Sequence, residues 1–420
     1  MGAPAVHSGW GSPSSGRSLG ISGSPPLTLL SEPEQGVPPV TDSPEDLHTV
    51  ATQLEHGHGP VGIDTERASG IRYGNRAFLI QLKREGAGIV LVDSEALPIL
   101  SSLNAALHGV EWILHAATQD LGCLAEKGMR PDALFDTELA ARLLNFERFG
   151  LASLTEEIMG VTLAKEHSAV DWSTRPLPHE WLAYAALDVE VLGHLRTELA
   201  DRLRSSGKWE YAQQEFDHLL SFTPPVHDEP WRRTHGLGRV KTARGLGRVR
   251  AMWALRDDLG EERDIAPSRI LPDRAMIALA VESVKSESDV KRQFSRMDSE
   301  DAGEFYRVFK AADRLPDSFM PPVRNTPRVK RADRMTSKQR LEHMKPAIAQ
   351  IAKELDMPHD LVVTPRYVKR LASLTTIGDE DDIADFLRDQ GARPWQIELV
   401  TEPLAKACLL YTSDAADEED

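Results

Sequence analysis

The chain has 420 residues, 41% hydrophobic and 27% charged, with a net charge of −16. That length exceeds one ordinary core and predicts two or three domains of globular composition. No apolar run reaches membrane-spanning length and no basic stretch precedes an unbroken apolar core near the N-terminus, which excludes a membrane protein and makes the cytoplasm the expected location.

Residues 1–40, rich in Gly, Ser and Pro without periodicity, read as a disordered arm. A first domain is expected over 41–207. Within it "VGIDTE", "AFLIQLK" and "GIVLVD" read as three strands, with "REGAG" turning between the last two. "ALPILSSLNAALH" has helical spacing, "EWILHA" is a fourth strand, and "TQDLGCLAEKG" is a helix stopped by Gly128. "DTELAARLLN" starts a helix with Asp136 as N-cap, "LASLTEEIMG" follows, and a long helix is expected from about Pro178 to Ser205. Strands first and helices after predict a mixed sheet flanked by helices. The reading then gives a linker at 208–235, which Pro224 and Pro225 keep from being helical, a helical domain at 236–316, and a basic linker at 317–337. A second helical domain is expected at 338–407. "RDIAPSRILPDRAMIALA" and "LDMPHDLVVTPRYVKRLA" suggest a weak repeat between the two. The end "CLLYTSDAADEED" looks like sequencing-adapter read-through, so 408–420 is set aside as a non-native acidic tail. Cys123 and Cys408 show neither CxxC nor Cys/His spacing, which argues against a disulfide framework and a structural zinc site.

Chemistry concentrates in four carboxylates. In the strand "GPVGIDTERASG", Gly62, Asp64 and Glu66 share one face, opposite Val61, Ile63 and Thr65. Two acids on one face of a core strand contradict the cost of buried charge. Asp120 follows the strand "EWILHA". In "EWLAYAALDVEVLGHL", Tyr184 and Asp188 lie four residues apart on one helix face, about 6 Å along its axis. Packed together, four carboxylates repel unless cations neutralise them, and oxygen-only ligands suit Mg²⁺ or Mn²⁺. Two such ions can clamp the attacking and leaving oxygens of a phosphoryl displacement.

"GIDTER", "LHAATQDLGCL" and "YAALDVEVL" resemble, in order and spacing, the three exonuclease motifs of the DEDDy superfamily. Tyr184, four before Asp188, marks the Tyr branch. With "AFLIQL", "LFDTELAARLL" and "DWSTRPLP", the chain resembles the ribonuclease D family more narrowly, and "LRDDLGEERDIAPSRILPDRAMIALA" resembles an HRDC domain. "LVVTPRYVKRLA" with "GARPWQIEL" resembles the second helical domain that follows it in this family. The resemblance spans about residues 45–407. It implies an α/β plus all-α protein: an RNase H-like exonuclease domain followed by two small helical HRDC-type domains. It also implies metal-dependent 3′–5′ hydrolysis of RNA to 5′-mononucleotides, with tRNA precursors carrying 3′ extensions as substrate. Asp64, Glu66, Asp120 and Asp188 would be ligands of two Mg²⁺ or Mn²⁺ ions, Tyr184 would orient water, and His115, Gln119, Trp172 and Arg175 would touch substrate.

The stretch "WRRTHGLGRVKTARGLGRVR" holds Arg232, Arg233, Arg239, Lys241, Arg244, Arg248 and Arg250 and no acid. Beside a nuclease site this run is expected to contact phosphate. Two rival functions stand: a proofreading-type DNA exonuclease, because the same chemistry serves both sugars, and a non-catalytic RNA-binding scaffold. A helicase lacks its GxxxxGK[ST] loop here. The sequence leaves oligomeric state open.

Overall fold

The computed structural model describes residues 27–164, 170–282, 284–323 and 334–417. Residues 1–26 of the expected arm and residues 324–333 of the basic linker lie outside them. Among the described residues, no helix is long and apolar enough to cross a membrane.

The strands are β1 (Thr28–Leu30), β2 (Val40–Thr41), β3 (His58–Arg67), β4 (Ala77–Glu85), β5 (Gly88–Asp93), β6 (Glu111–Leu114), β7 (Ala133–Asp136) and β8 (Val161–Leu163). Six of them form one sheet in the order β2-β5-β4-β3-β6-β7. β4 runs antiparallel to β3 and β5, while β6 is parallel to β3 and β7. The expected mixed sheet is therefore present, with β3 at its centre. β1 pairs with β8 and β2 with β5. The arm read as disordered over 1–40 is thus corrected at its end. Two strands this short, without alternation, leave no periodic signal.

Helices cover both faces of the sheet. On one side stand α1 (Pro44–His56), α2 (Ser101–Ala106) and α3 (Leu121–Glu126). Ser43 caps α1 by accepting from Asp46 N, and Leu47, Ala51 and Leu54 bury its inner stripe. The helical spacing of "ALPILSSLNAALH" yields only the six residues of α2. On the other side stand α4 (Thr137–Leu143), α5 (Leu151–Leu154) with a following π-helical turn (Thr155–Met159), α6 (His179–Glu190), α7 (Leu192–Ser205) and α8 (Trp209–Leu220). The single helix expected to Ser205 is broken at Val191. Gly62 lies under this junction: a Cβ there would stand 3.2 Å from Leu192 Cβ and 3.3 Å from Val189 O. Glycine lets the helix pair approach β3 closely. The linker reading for 208–235 is also corrected, since α8 buries Ala212 and Phe216 in the core.

The first helical region contains α9 (Ala243–Arg263), α10 (Pro267–Ile270), α11 (Asp273–Val281), α12 (Glu287–Gln293) and α13 (Ser299–Arg314) around Val249, Met252, Met276, Phe305 and Phe309. The second contains α14 (Arg334–Glu354), α15 (His359–Val362), α16 (Pro365–Ala372), α17 (Glu380–Asp389) and α18 (Pro394–Asp417). Its first helix begins before the expected 338, and α18 runs on into the segment set aside as a tail. The suspected repeat is visible in the backbone. α9 and α14 are each followed within two residues by an aspartate with positive φ, Asp264 at 50° and Asp356 at 47°, and then by one short and one longer helix.

The second helical region shares a core with the first domain. Phe135, Leu199 and Phe216 belong to one cluster with Met344, Val368, Leu387 and Trp395. Arg393 and Trp395 Nε1 both reach Glu215 Oε1, at 2.8 and 3.0 Å, and Tyr211 stacks on Trp395 at 4.6 Å.

Candidate active site

β3 carries the first two acids. Its alternation buries Val61, Ile63 and Thr65 on one face and turns Gly62, Asp64 and Glu66 toward α6. α6 supplies Tyr184 and Asp188 from the same side. Among the described residues, carboxylate oxygens of Asp64, Glu66 and Asp188 lie within 4.8 Å of one another. Tyr184 donates its hydroxyl to Asp188. Burial, then the facing Asp188, pushes Asp64 up to about 7. Burial does the same for Asp188, to about 7, against the bond from Tyr184. Glu66 is raised well above its usual range, by burial and then by Asp64 and Asp188. Burial and the neighbouring acids also raise Tyr184, so its phenol stays protonated.

Asp120 enters from the turn after β6. That turn is built on Asp136, whose carboxylate caps α4 through Glu138 N and Leu139 N and also accepts from Ala116 N at 3.1 Å and Ala117 N at 2.8 Å. From the sequence pattern Asp136 reads only as an N-cap. Asp120 is 2% exposed and stands beside the triad of acids rather than within it. Thr65 Oγ1 donates to its Oδ1 at 2.6 Å, and Arg67 Nη1 stands 3.3 Å from the same oxygen. Burial, then Asp64, pushes Asp120 up to about 8.

Asp64, Asp120, Tyr184 and Asp188 line a cleft of about 390 Å³ together with Arg67, His115 and Gln119. His115 and Gln119 are thus brought to the site as expected. Thr137 donates to Leu114 O and accepts from His115 Nδ1–H at 2.9 Å. Burial lowers His115 to about 4, so it is neutral at pH 7 and offers Nε2 as an acceptor.

Two expected substrate contacts are corrected. Trp172 is fully buried among Phe78, Leu79 and Leu91, edge-on to Trp181. Arg175 grips Asp93 at 2.5 and 2.8 Å and donates to the carbonyls of Phe78, Trp172 and Thr174. Its guanidinium staples the "DWSTRPLP" segment to the sheet and keeps no donor for RNA. The basic run divides likewise. Arg232 pairs with Glu229 and stacks on Trp231, Arg244 caps the end of α13 and pairs with Asp317, and Arg248 pairs with Asp313 over Phe309. Arg233, Arg239 and Lys241 remain exposed.

The donor set fits hard divalent cations: every close ligand is a carboxylate oxygen. The anions crowd where burial favours protonation, and bound cations would reverse that. Gln81 adds a second sign. It faces Asp64 across the β3–β4 ladder, is 0% exposed, and among the described residues neither amide atom finds a partner. Such an orphan beside a metal ligand fits a site completed by an ion's hydration water. Nothing but its place in "AFLIQL" could have flagged it.

A family model described as 3′-5′ exonuclease matches residues 39–204, an HRDC model matches 245–300, and a model described as 3′ to 5′ exonuclease C-terminal domain matches 327–408. The ribonuclease D of Gluconacetobacter diazotrophicus is 30% identical over 68% of this chain and 74% of its own length. The chain belongs to the ribonuclease D family. Ribonuclease D of Shewanella sp. (strain ANA-3) is 26% identical over 82% of this chain and 87% of that one. A crystal structure of a protein from Bifidobacterium adolescentis is 38% identical and covers 91% of this chain and 99% of that one, with TM-score 0.80. The fold is also that of Escherichia coli RNase D, TM-score 0.67 at 22% identity over 89% of this chain and 99% of that one. This member of the ribonuclease D family is a 3′–5′ exonuclease, and the rival scaffold reading is set aside.

Proposed function

We propose that the protein is a metal-dependent exoribonuclease that shortens RNA from the 3′ end to 5′-mononucleotides, with 3′-extended tRNA precursors among its substrates. The observation that carries this is the convergence of Asp64, Glu66 and Asp188 within 4.8 Å, beside a protonated Tyr184, in an open cleft. Asp64, Glu66 and Asp188 would hold one divalent cation, Mg²⁺ or Mn²⁺, and Asp64 with Asp120 a second. When bound, such cations supply an activated water and stabilise the leaving oxygen.

The side chains define the rest. Asp188 accepts the Tyr184 O–H, which holds the phenol oxygen at the triad as an acceptor that orients water. A phenol raised this far does not serve as the base. Neutral His115 offers Nε2 to a ribose hydroxyl, and Gln119 offers its amide at the cleft rim. Exposed Arg233, Arg239 and Lys241 supply phosphate contacts outside the cleft.

The deciding experiment is a time course on 3′-extended tRNA, unstructured RNA and matched DNA with Mg²⁺ or Mn²⁺. Stepwise 3′ shortening of RNA with release of 5′-mononucleotides is expected. Preferential digestion of DNA would move the assignment to the proofreading class.

A further inference from the structure

α6 carries Tyr184 and Asp188 and ends at Glu190, two residues beyond the second of these. Its first turn is anchored by Trp181, edge-on to the buried Trp172. Its last turn holds no basic residue to meet the carbonyls left over at a helix C-terminus. Lys83 of β4 supplies that charge from outside the helix. Its ammonium donates to the Glu190 carbonyl at 3.3 Å and to the Glu190 carboxylate.

The sheet register shows what this pair is fastened to. Lys83 stands opposite Gly62 in the β3–β4 ladder, and the next pair on the same face is Gln81 opposite Asp64. At Gly62 the end of α6 rests almost directly on the strand, with Val189 O 3.3 Å from where a Cβ would stand. A contact without a side chain lets the helix come close but gives it nothing to key into along or around its axis. Buried Asp188 also repels Asp64 across the gap, which pushes the helix end off the strand. The Lys83–Glu190 pair opposes that movement one short step from Asp188.

We propose that Lys83 is a positioning residue for catalysis: by holding the C-terminal end of α6 against β3 and β4, it sets where Asp188 stands relative to Asp64 and Glu66. The proposal rests on the cation reading given above, because the spacing of these carboxylates matters most when they share an ion. Lys83 and Glu190 line a cavity of about 680 Å³ that shares no lining residue with the catalytic cleft, so the pair acts from behind the site. With 32% and 18% of their side chains exposed, either residue still meets solvent when the other is removed.

The test uses the full-length chain. In Lys83→Met, Mn²⁺ binding to the metal-free protein, read by calorimetry, should weaken by about 10–100-fold, the usual loss when a group that supports a metal ligand is removed. On unstructured RNA, kcat should fall by a similar factor with KM little changed, since no substrate contact is lost. Amide exchange over residues 187–192 of the metal-free protein should quicken while that of α1 stays unchanged. Lys83→Arg keeps the charge and should recover most of the Mn²⁺ affinity. Glu190→Ala should lose affinity and kcat in the same direction, and the double variant should be no worse than Lys83→Met alone. Wild-type Mn²⁺ affinity and kcat in Lys83→Met would overturn the proposal, even beside a lowered melting temperature, and so would a loss confined to KM. Should Lys83→Met not fold, the same readings in Glu190→Ala decide. Asp64→Asn separates the two readings: undiminished Mn²⁺ binding in that variant would remove the cation site itself, whatever Lys83 does.

Discussion

Arg76 places two hydrogen bonds of 2.8 Å on Asp264, joining the loop after β3 to the left-handed cap of α9. Around this pair Ala266 N donates to Ile71 O at 2.9 Å and Arg269 Nε to Gly70 O at 2.8 Å. Arg72 Nε reaches Ser173 Oγ at 2.8 Å in the segment that leads to α6. The first helical region therefore braces a loop that starts one residue beyond Arg67. Asp264→Asn should weaken docking without unfolding either part. Amide exchange of residues 70–76 should speed up while that of α11 stays unchanged, and global stability should fall by only about 1 kcal/mol, since the pair is partly exposed. Unaltered exchange in the loop would mean that the backbone bonds suffice.

Asp64→Asn and Asp188→Asn should each abolish hydrolysis while leaving the fold intact. Each removes one anionic ligand from the triad. In the metal-free state each also relieves repulsion, so the melting temperature without metal should equal or exceed that of wild type. Near-normal turnover in either purified variant would remove that residue from the cation site.

The raised carboxyls also fix the sign of a pH effect. Unfolded aspartates titrate near about 3.9, whereas Asp64 and Asp188 are pushed to about 7 and Asp120 to about 8 in the folded chain. Between those values the native state keeps protons that the unfolded chain has lost. The contribution is therefore fully favourable below about pH 4 and is lost as pH rises through 7 to 8. Urea midpoints of the metal-free protein at pH 5 and pH 8.5 should show this decline. In Asp64→Asn it should shrink by on the order of 1 kcal/mol or more. Equal declines in both proteins would show that Asp64 is not held protonated.

Tyr184→Phe keeps the ring between the sheet and α6 and removes the hydroxyl held by Asp188. The loss should fall on kcat, by about 10²–10⁴-fold, with little change in KM. A kcat within about twofold of wild type would reduce Tyr184 to a packing residue.

Gln81→Leu deletes a fully buried amide without partners among the described residues. The metal-free protein should gain up to about 1–3 kcal/mol in urea unfolding, the cost of an unsatisfied buried polar group. The gain in melting temperature on adding Mn²⁺ should be smaller than in wild type. Unchanged values on both counts would assign Gln81 no part in the site.

The acids could be read in the sequence because each breaks a local pattern: Asp64 and Glu66 in an apolar strand, Asp188 on an apolar helix face. The partners of the cations could not. Arg175 and Arg248 look as available as Arg239, yet they are spent on Asp93 and Asp313, far away in sequence. Trp172 reads equally as a substrate contact or as core, and only the closed packing against Phe78 and Trp181 decides. The break at Val191 was hidden because the apolar stripe continues through it. α8 was absorbed into a linker because the prolines that follow it drew the boundary too early.

The core common to Phe135, Phe216, Met344 and Trp395 has a consequence for how this enzyme can be damaged. A cut or a premature stop in the stretch before α14 would not release a smaller nuclease. It would bare one wall of the catalytic domain, strip Glu215 of Arg393 and Trp395, and leave Lys208 bonded to Leu143 O but without Asp356 O. Such a fragment presents a broad greasy surface and a stranded charge, the features that drive aggregation and clearance. Loss of the C-terminal helices therefore removes the whole molecule from service, so the nuclease half does not circulate free of the half that accompanies it.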